Sequence, residues 1–136
     1  MLDKKIPDET RRFASARDAF KEASPTVIDE FLQMKRAAMK PGALDFKTKS
    51  LIAVLMGVAR GSERCILTHV PAAFDAGVDR QELIEGLDIT IAFGGAPQYG
   101  FSSFALSVFD TYPDEPDRTP CDDHRPRAKI HQRNAL

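Results

Sequence analysis

Residues 61–97 read GSERCILTHVPAAFDAGVDRQELIEGLDITIAFGGAP, and helix boundaries punctuate them. Gly61 is placed to end one helix, and Ser62 to cap the next through its hydroxyl. That next helix carries Cys65 and His69. Pro71 falls inside it, removes a backbone donor and leaves the Leu67 carbonyl without its usual partner. The pattern predicts either a kink there or a new helix starting near Pro71. Gly77 suits a C-cap. Asp79 and Glu82 then have the spacing of a capping box, with Val78 and Leu83 placed as a hydrophobic staple. The helix they open runs to about Phe93 and stops at Gly94-Gly95. Pro97 opens another.

Helical signals continue on both sides, and strand signals barely appear. Upstream, a first helix is expected from about Asp8, as N-cap, to Glu22, with Phe13, Ala16 and Phe20 at helical spacing. Ser24 and Pro25 start a second, whose apolar face is Val27, Ile28, Phe31, Leu32 and Met34. It ends before Pro41-Gly42. A third starts near Asp45 and runs to about Arg60. Leu51, Ile52, Val54, Leu55, Met56 and Val58 leave it almost no polar face after Ser50, so it should be buried on most sides. In so short a chain that calls for a partner subunit. Downstream, the last helix presents Phe101, Phe104, Ala105, Val108 and Phe109 and ends at Tyr112-Pro113. Residues 113–136 are rich in proline and charge and form a tail with no core of its own. The expected architecture is a single all-α domain of about six helices: N-terminal helices over 1–43, a core over 44–112 and the tail.

Composition narrows the function classes. The chain has 136 residues, 43% of them hydrophobic, which suits one domain with a real core. A formal net charge of -1 gives no motive for nucleic-acid or anionic-lipid binding. No run of eighteen apolar residues marks a membrane span, and MLDKKIPDETRRF lacks a signal-peptide core. A cytoplasmic location is the expectation. Cys65 and Cys121 are too few for a disulfide scaffold.

Cys65 and His69 stand four apart and so share one helix face, with His69 leaning back toward Cys65. With Ser62 as N-cap, Cys65 is the third helical residue, where the helix dipole and unpaired amides favour an anion. Arg64 adds positive charge beside it. A neutral His69 can take the thiol proton and later return one to a leaving group. Packing alone would also account for a first-turn Cys. Glu63 is a candidate acid–base group near the site, though an acid at a helix start is favourable in itself. Asp88, in the apolar run Leu87 to Phe93, is a candidate substrate contact or a paired surface residue. Tyr99 and Phe101 read as core or interface. Cys121 and His124 lack the second ligand pair that a zinc site needs. No metal or cofactor is expected.

The order of these features resembles the carboxymuconolactone decarboxylase and alkylhydroperoxidase-D superfamily. Gly61, Cys65, His69, Ala76-Gly77, Glu82, Gly94-Gly95 and Pro97 fall where that family's signature places them. The Leu-Asp-x-Lys-Thr-Lys run at Leu44 to Lys49 matches the entry to its buried helix. The resemblance spans about Leu44 to Phe109. It implies an AhpD-like helical bundle, a homo-oligomer (trimer or hexamer), a small-molecule substrate and Cys65 at the position of the second Cys of a Cys-x-x-Cys pair.

Two positions depart from that pattern. Ser62 stands where the first Cys belongs, and Ser50 where the Glu of the proton relay belongs. An intramolecular disulfide cycle between positions 62 and 65 is therefore impossible, and the relay to His69 is incomplete. The preferred reading is a thiol-dependent peroxidase or antioxidant reductase using Cys65 and His69, with an external thiol as reductant. Cys121 is a second candidate resolving thiol. The decarboxylase branch commonly lacks the Cys pair and keeps the His. It implies instead a cofactor-free reaction on a small lactone or keto acid, with His69 as acid and Arg64 or Arg60 holding a carboxylate. A third reading is a non-catalytic oligomer with a degenerate site.

Overall fold

The computed structural model describes residues 5–113, which form six helices: α1 (Lys5–Ala23), α2 (Pro25–Met39), α3 (Phe46–Ala59), α4 (Glu63–Asp75), α5 (Arg80–Gly94) and α6 (Ala96–Phe109). No strand occurs among the described residues. The α3–α4 pair is the most extensive packing in the fold, and α5 and α6 close over it. Between them lie Val54, Val58, Ile66, Val70, Leu83, Leu87, Ala105 and Val108, all buried. Phe74 meets Phe109 edge-on at 5.4 Å between ring centroids, at the far end of α4 from Cys65. Burial of these side chains, each contributing about 1.5–3 kcal/mol for the larger ones, is what holds short helices that would not persist alone.

The run from Leu44 to Lys49 works as a joint. The Asp45 carboxylate accepts the Thr48 backbone N–H at 2.7 Å and caps α3. Hydrogen bonding from the Thr48 side chain, and then from its backbone N–H, holds the Asp45 carboxyl below its ordinary pKa. Lys47 reaches across to the Glu82 carboxylate at the start of α5. Lys49 donates to the backbone carbonyls of Ala38 and Lys40 and so satisfies the end of α2. Three side chains of one short motif thus tie α2, α3 and α5 together.

The helix starts and ends follow the local chemistry with two differences, and one open choice is resolved. α1 begins at Lys5 rather than being capped by Asp8. Pro7 is tolerated there because first-turn amides have no helical partner in any case. Ser24 separates α1 from α2, yet its hydroxyl makes no capping bond. α4 runs unbroken through Pro71, which settles the choice between one helix and two. The capping box forms as expected: Asp79 accepts the Glu82 N–H at 2.8 Å, and Glu82 accepts the Asp79 N–H at 2.9 Å.

The apolar face expected for α2 is not buried within one chain. Ile28 and Leu32 are half-buried, while Val27, Phe31 and Met34 are exposed. α2 touches only α1 and α3 among the described helices, so it has too few neighbours to cover that face. On α3, Ile52 and Met56 are likewise exposed. The expected tail, with Cys121 and His124, lies outside the described residues.

Candidate functional site

Cys65 is fixed by the way α3 turns into α4. α3 ends in a Schellman motif: Gly61 N–H donates to the Val58 carbonyl at 2.9 Å and Ser62 N–H to the Gly57 carbonyl at 3.0 Å. Gly61 takes φ 62°, a left-handed conformation that side chains disfavour. The Phe101 ring lies where a Cβ on Gly61 would point, 3.0 Å away, so bulk is excluded as well. Ser62 then changes role within one residue. Its backbone finishes α3, and its hydroxyl accepts the Cys65 N–H at 3.3 Å to start α4. The serine at the family's first-Cys position thus has a complete structural task.

The α3 backbone also presses on Cys65 from below. A Cβ on Gly57 would stand 2.9 Å from the Cys65 Cβ and 3.3 Å from its carbonyl carbon. Such an approach is open only to glycine. Gly57 was not singled out by the sequence reading, although a glycine within an otherwise apolar helix is a signal of close packing.

Cys65 carries a free thiol and is half-buried. His69, one turn on, is half-buried as well. Burial pushes the His69 pKa down, and the charges of Lys35 and Arg17 push it the same way. Near neutral pH the imidazole is accordingly held in its uncharged form, able to accept a proton.

Other expected site residues are placed unevenly. Arg64 is exposed beside Cys65, and its guanidinium lies 3.2 Å from the centre of the Phe13 ring, a cation–π contact with α1. Glu63 is exposed in the first turn of α4, a position favourable for an acid whatever else it does. Asp88 is exposed on α5, which packs on α3 and α6 rather than on α4, so the fold does not bring it to Cys65. Arg60 is the exposed C-cap of α3. Ser50, at the family's Glu position, is buried and its hydroxyl donates to the Phe46 carbonyl at 2.8 Å. It is satisfied within its own helix and relays nothing to His69. No group of three His, Cys, Asp or Glu side chains that could hold a metal occurs among the described residues. Nor is any described helix long and apolar enough to cross a membrane.

The family model of the carboxymuconolactone decarboxylase family matches residues 25–106, from the start of α2 through most of α6. The chain belongs to this family. The match starts earlier than the resemblance noted from Leu44, so α2 is part of the family fold. An uncharacterised protein of Cupriavidus necator is 33% identical over 109 residues, covering 80% of this chain and 93% of that protein. An uncharacterised protein of the cox locus of Paracoccus denitrificans is 30% identical over 88 residues, covering 65% of this chain and 79% of that one. Among solved structures, a carboxymuconolactone decarboxylase family protein of Legionella pneumophila superposes with a TM-score of 0.76 at 32% identity, covering 79% of this chain and 96% of that one. A Thermotoga maritima family member, described as a possible participant in an antioxidative response, gives 0.64 at 25% identity, covering 74% and 88%.

Proposed function

We propose that this family member is a one-cysteine, thiol-dependent peroxidase. The observation that carries the reading is Cys65 in the first turn of α4, with His69 held neutral one turn away. In the cycle, His69 takes the thiol proton and the Cys65 sulfur attacks the terminal, hydrogen-bearing oxygen of a hydroperoxide. The O–O bond breaks, the sulfur becomes a sulfenic acid and the departing alkoxide takes the proton from His69 to leave as an alcohol. An external thiol then displaces the sulfenic hydroxyl as water, forming a mixed disulfide. A second thiol attacks that bond, leaves as a disulfide and restores Cys65. One hydroperoxide and two thiols yield one alcohol, one water and one disulfide. Ser62 supports an external reductant, because no thiol stands three residues before Cys65. The antioxidative association of the Thermotoga relative points the same way.

The experiment is peroxide consumption with excess dithiol, together with dimedone trapping of the sulfenic acid and mass mapping. The expected result is turnover and a Cys65 adduct, both lost in Cys65→Ser and both retained in Cys121→Ser. Equal consumption by Cys65→Ser would overturn the reading. Activity on a lactone or keto acid that survives Cys65→Ser and disappears in His69→Ala would instead support the decarboxylase branch. No turnover on either substrate class, with ordinary thiol reactivity, would support the non-catalytic oligomer. We further propose that the protein works in the cytoplasm and that its working form is a homo-oligomer, the latter supported by the exposed apolar faces described above.

A further inference from the structure

Two buried polar atoms on α6 have no hydrogen-bond partner among the described residues: Oε1 of Gln98 and the hydroxyl oxygen of Ser102. Ser102 is only 4% exposed, and an unmet polar group at that depth costs more than a typical hydrogen bond gains. Its own helix offers it an acceptor. Ser50, Thr68, Thr90, Ser103, Ser107 and Thr111 all donate to a carbonyl three or four residues back. Ser102 does not, so its hydroxyl is turned away from the α6 backbone. Gln98 stands four residues earlier, one turn before on the same face, with the two Cβ atoms about 5–6 Å apart. Helical side chains lean toward the N-terminus, which inclines Ser102 toward Gln98. Gln98 itself is held along its length. Its Cγ lies where a Cβ on Gly94 would point, and its Nε2 donates to the Ala59 carbonyl at 3.4 Å, a long contact. Ala59 is the last residue of α3, so its carbonyl has no partner within that helix. The Gln98 amide is not reversed, because Oε1 would then face the Ala59 carbonyl, acceptor against acceptor.

We infer that Gln98 and Ser102 bind one buried water, and that this polar site fixes the α3–α4 turn leading into Cys65. The water donates to Gln98 Oε1 and accepts from Ser102 Oγ. Its second proton is available to the Ala59 carbonyl, which has a lone pair beyond the one that Gln98 Nε2 uses. Two or three such partners are what a buried water ordinarily has. α6 then grips the turn at two neighbouring points. Gln98 holds Ala59, and the Phe101 ring lies against Gly61. From there Ser62 carries the constraint onward: its N–H finishes α3, and its hydroxyl accepts the Cys65 N–H. Gln98 and Ser102 are therefore positioning residues for the thiol, whatever reaction it performs. Gly94 serves the same site, since a side chain there would displace Gln98.

The test is a double-variant cycle on the full chain: Ser102→Ala, Gln98→Met and the two together. The unfolding equilibrium constant is read from urea curves at one protein concentration. With a bridging water, Ser102→Ala raises that constant about five-fold. The double variant then exceeds Gln98→Met by much less than five-fold, because the two side chains share one partner. A dry site predicts the opposite sign, since removing an unmet buried hydroxyl stabilises the chain. Stabilisation by Ser102→Ala, or additive effects, overturns the proposal. A crystal structure of the full chain gives the direct view, with a solvent peak expected within hydrogen-bonding distance of both Gln98 Oε1 and Ser102 Oγ. A Ser102 hydroxyl bonded to the Gln98 backbone carbonyl instead, or a protein side chain in the water's place, overturns it as well. The positioning role is read from Cys65 in a Cys121→Ser background. Alkylation by iodoacetamide should rise roughly two- to five-fold in Gln98→Met, as the loosened turn opens more often. Asp79→Ala, a cap change on α5, should keep the parent rate, since α5 does not pack on α4. An unchanged rate in Gln98→Met, or an equal rise in Asp79→Ala, overturns the hold on Cys65.

Discussion

Gly57 is the residue at which helix packing and chemistry meet. Its missing side chain lets the backbone of α3 lie against Cys65, and a methyl group there would stand 2.9 Å from the Cys65 Cβ. Gly57→Ala should therefore push α4 away from α3, at a cost of about 1–3 kcal/mol for overpacking. The denaturation midpoint should fall, and the alkylation rate of Cys65 should change with it. An unchanged midpoint would mean that the contact is easily relaxed. His69 offers a second test at this scale. Its folded pKa is lowered by burial and by Lys35 and Arg17, so the folded state takes up the proton less readily than the unfolded chain. The corresponding stability is present above the unfolded value of about 6.5 and is lost as pH falls from there through the folded value. Thermal melts from pH 7.5 down to 5.5 should accordingly show a smaller loss for His69→Gln than for the parent chain. Equal losses would contradict the burial of the imidazole.

At the scale of elements, what was legible in the sequence is what acts within one turn of the chain. Asp45, Ser62 and Asp79 each bond to a backbone N–H three residues on, and side-chain chemistry at that separation can be read directly. The fourth helix with Cys65 and His69 on one face followed from the same logic. Contacts between distant segments were not legible. Nothing in the position of Phe13 says that it will lie under Arg64 at the start of α4, because that depends on how α1 crosses a helix some fifty residues away. Lys49 is intermediate: its motif matched the family, but its bonds to the carbonyls of Ala38 and Lys40 emerged from the fold. Local caps also give the clearest energetic test. Asp79→Ala removes the side-chain half of the capping box and leaves the bond from the residue 79 N–H to Glu82, and the Lys47 pair, in place, which should cost about 1 kcal/mol. The urea midpoint should drop while Cys65 keeps its alkylation rate, since α5 does not pack on α4. A loss of Cys65 reactivity in this variant would show that α5 supports the site after all.

At the scale of the whole molecule, a chain of 15.1 kDa exposes more large apolar side chains than a monomer ordinarily tolerates. Apart from Leu44 and Tyr99, they fall on two sets of helices. Val27, Phe31 and Met34 recur along α2, with Phe20 of α1 exposed as well. Ile52 and Met56 of α3 and Ile89 and Phe93 of α5 form the second set, carried by two helices that pack together. Phe93 is 91% exposed, which in an isolated chain leaves an aromatic ring almost wholly in water. Two distinct apolar faces suit the two complementary patches of a head-to-tail trimer, or the two kinds of contact of a hexamer built from trimers. Sedimentation velocity at micromolar concentration should therefore give three or six times the 15.1 kDa chain mass. Phe31→Asp and Phe93→Asp each place a charge in one face, and each should yield a smaller species of its own kind. The double variant should sediment as a monomer and melt at a lower temperature, since assembly stabilises the folded chain by mass action. A parent chain that stays monomeric at micromolar concentration would refute the assembly. Intact assembly in both single variants would show that these faces are not its contacts.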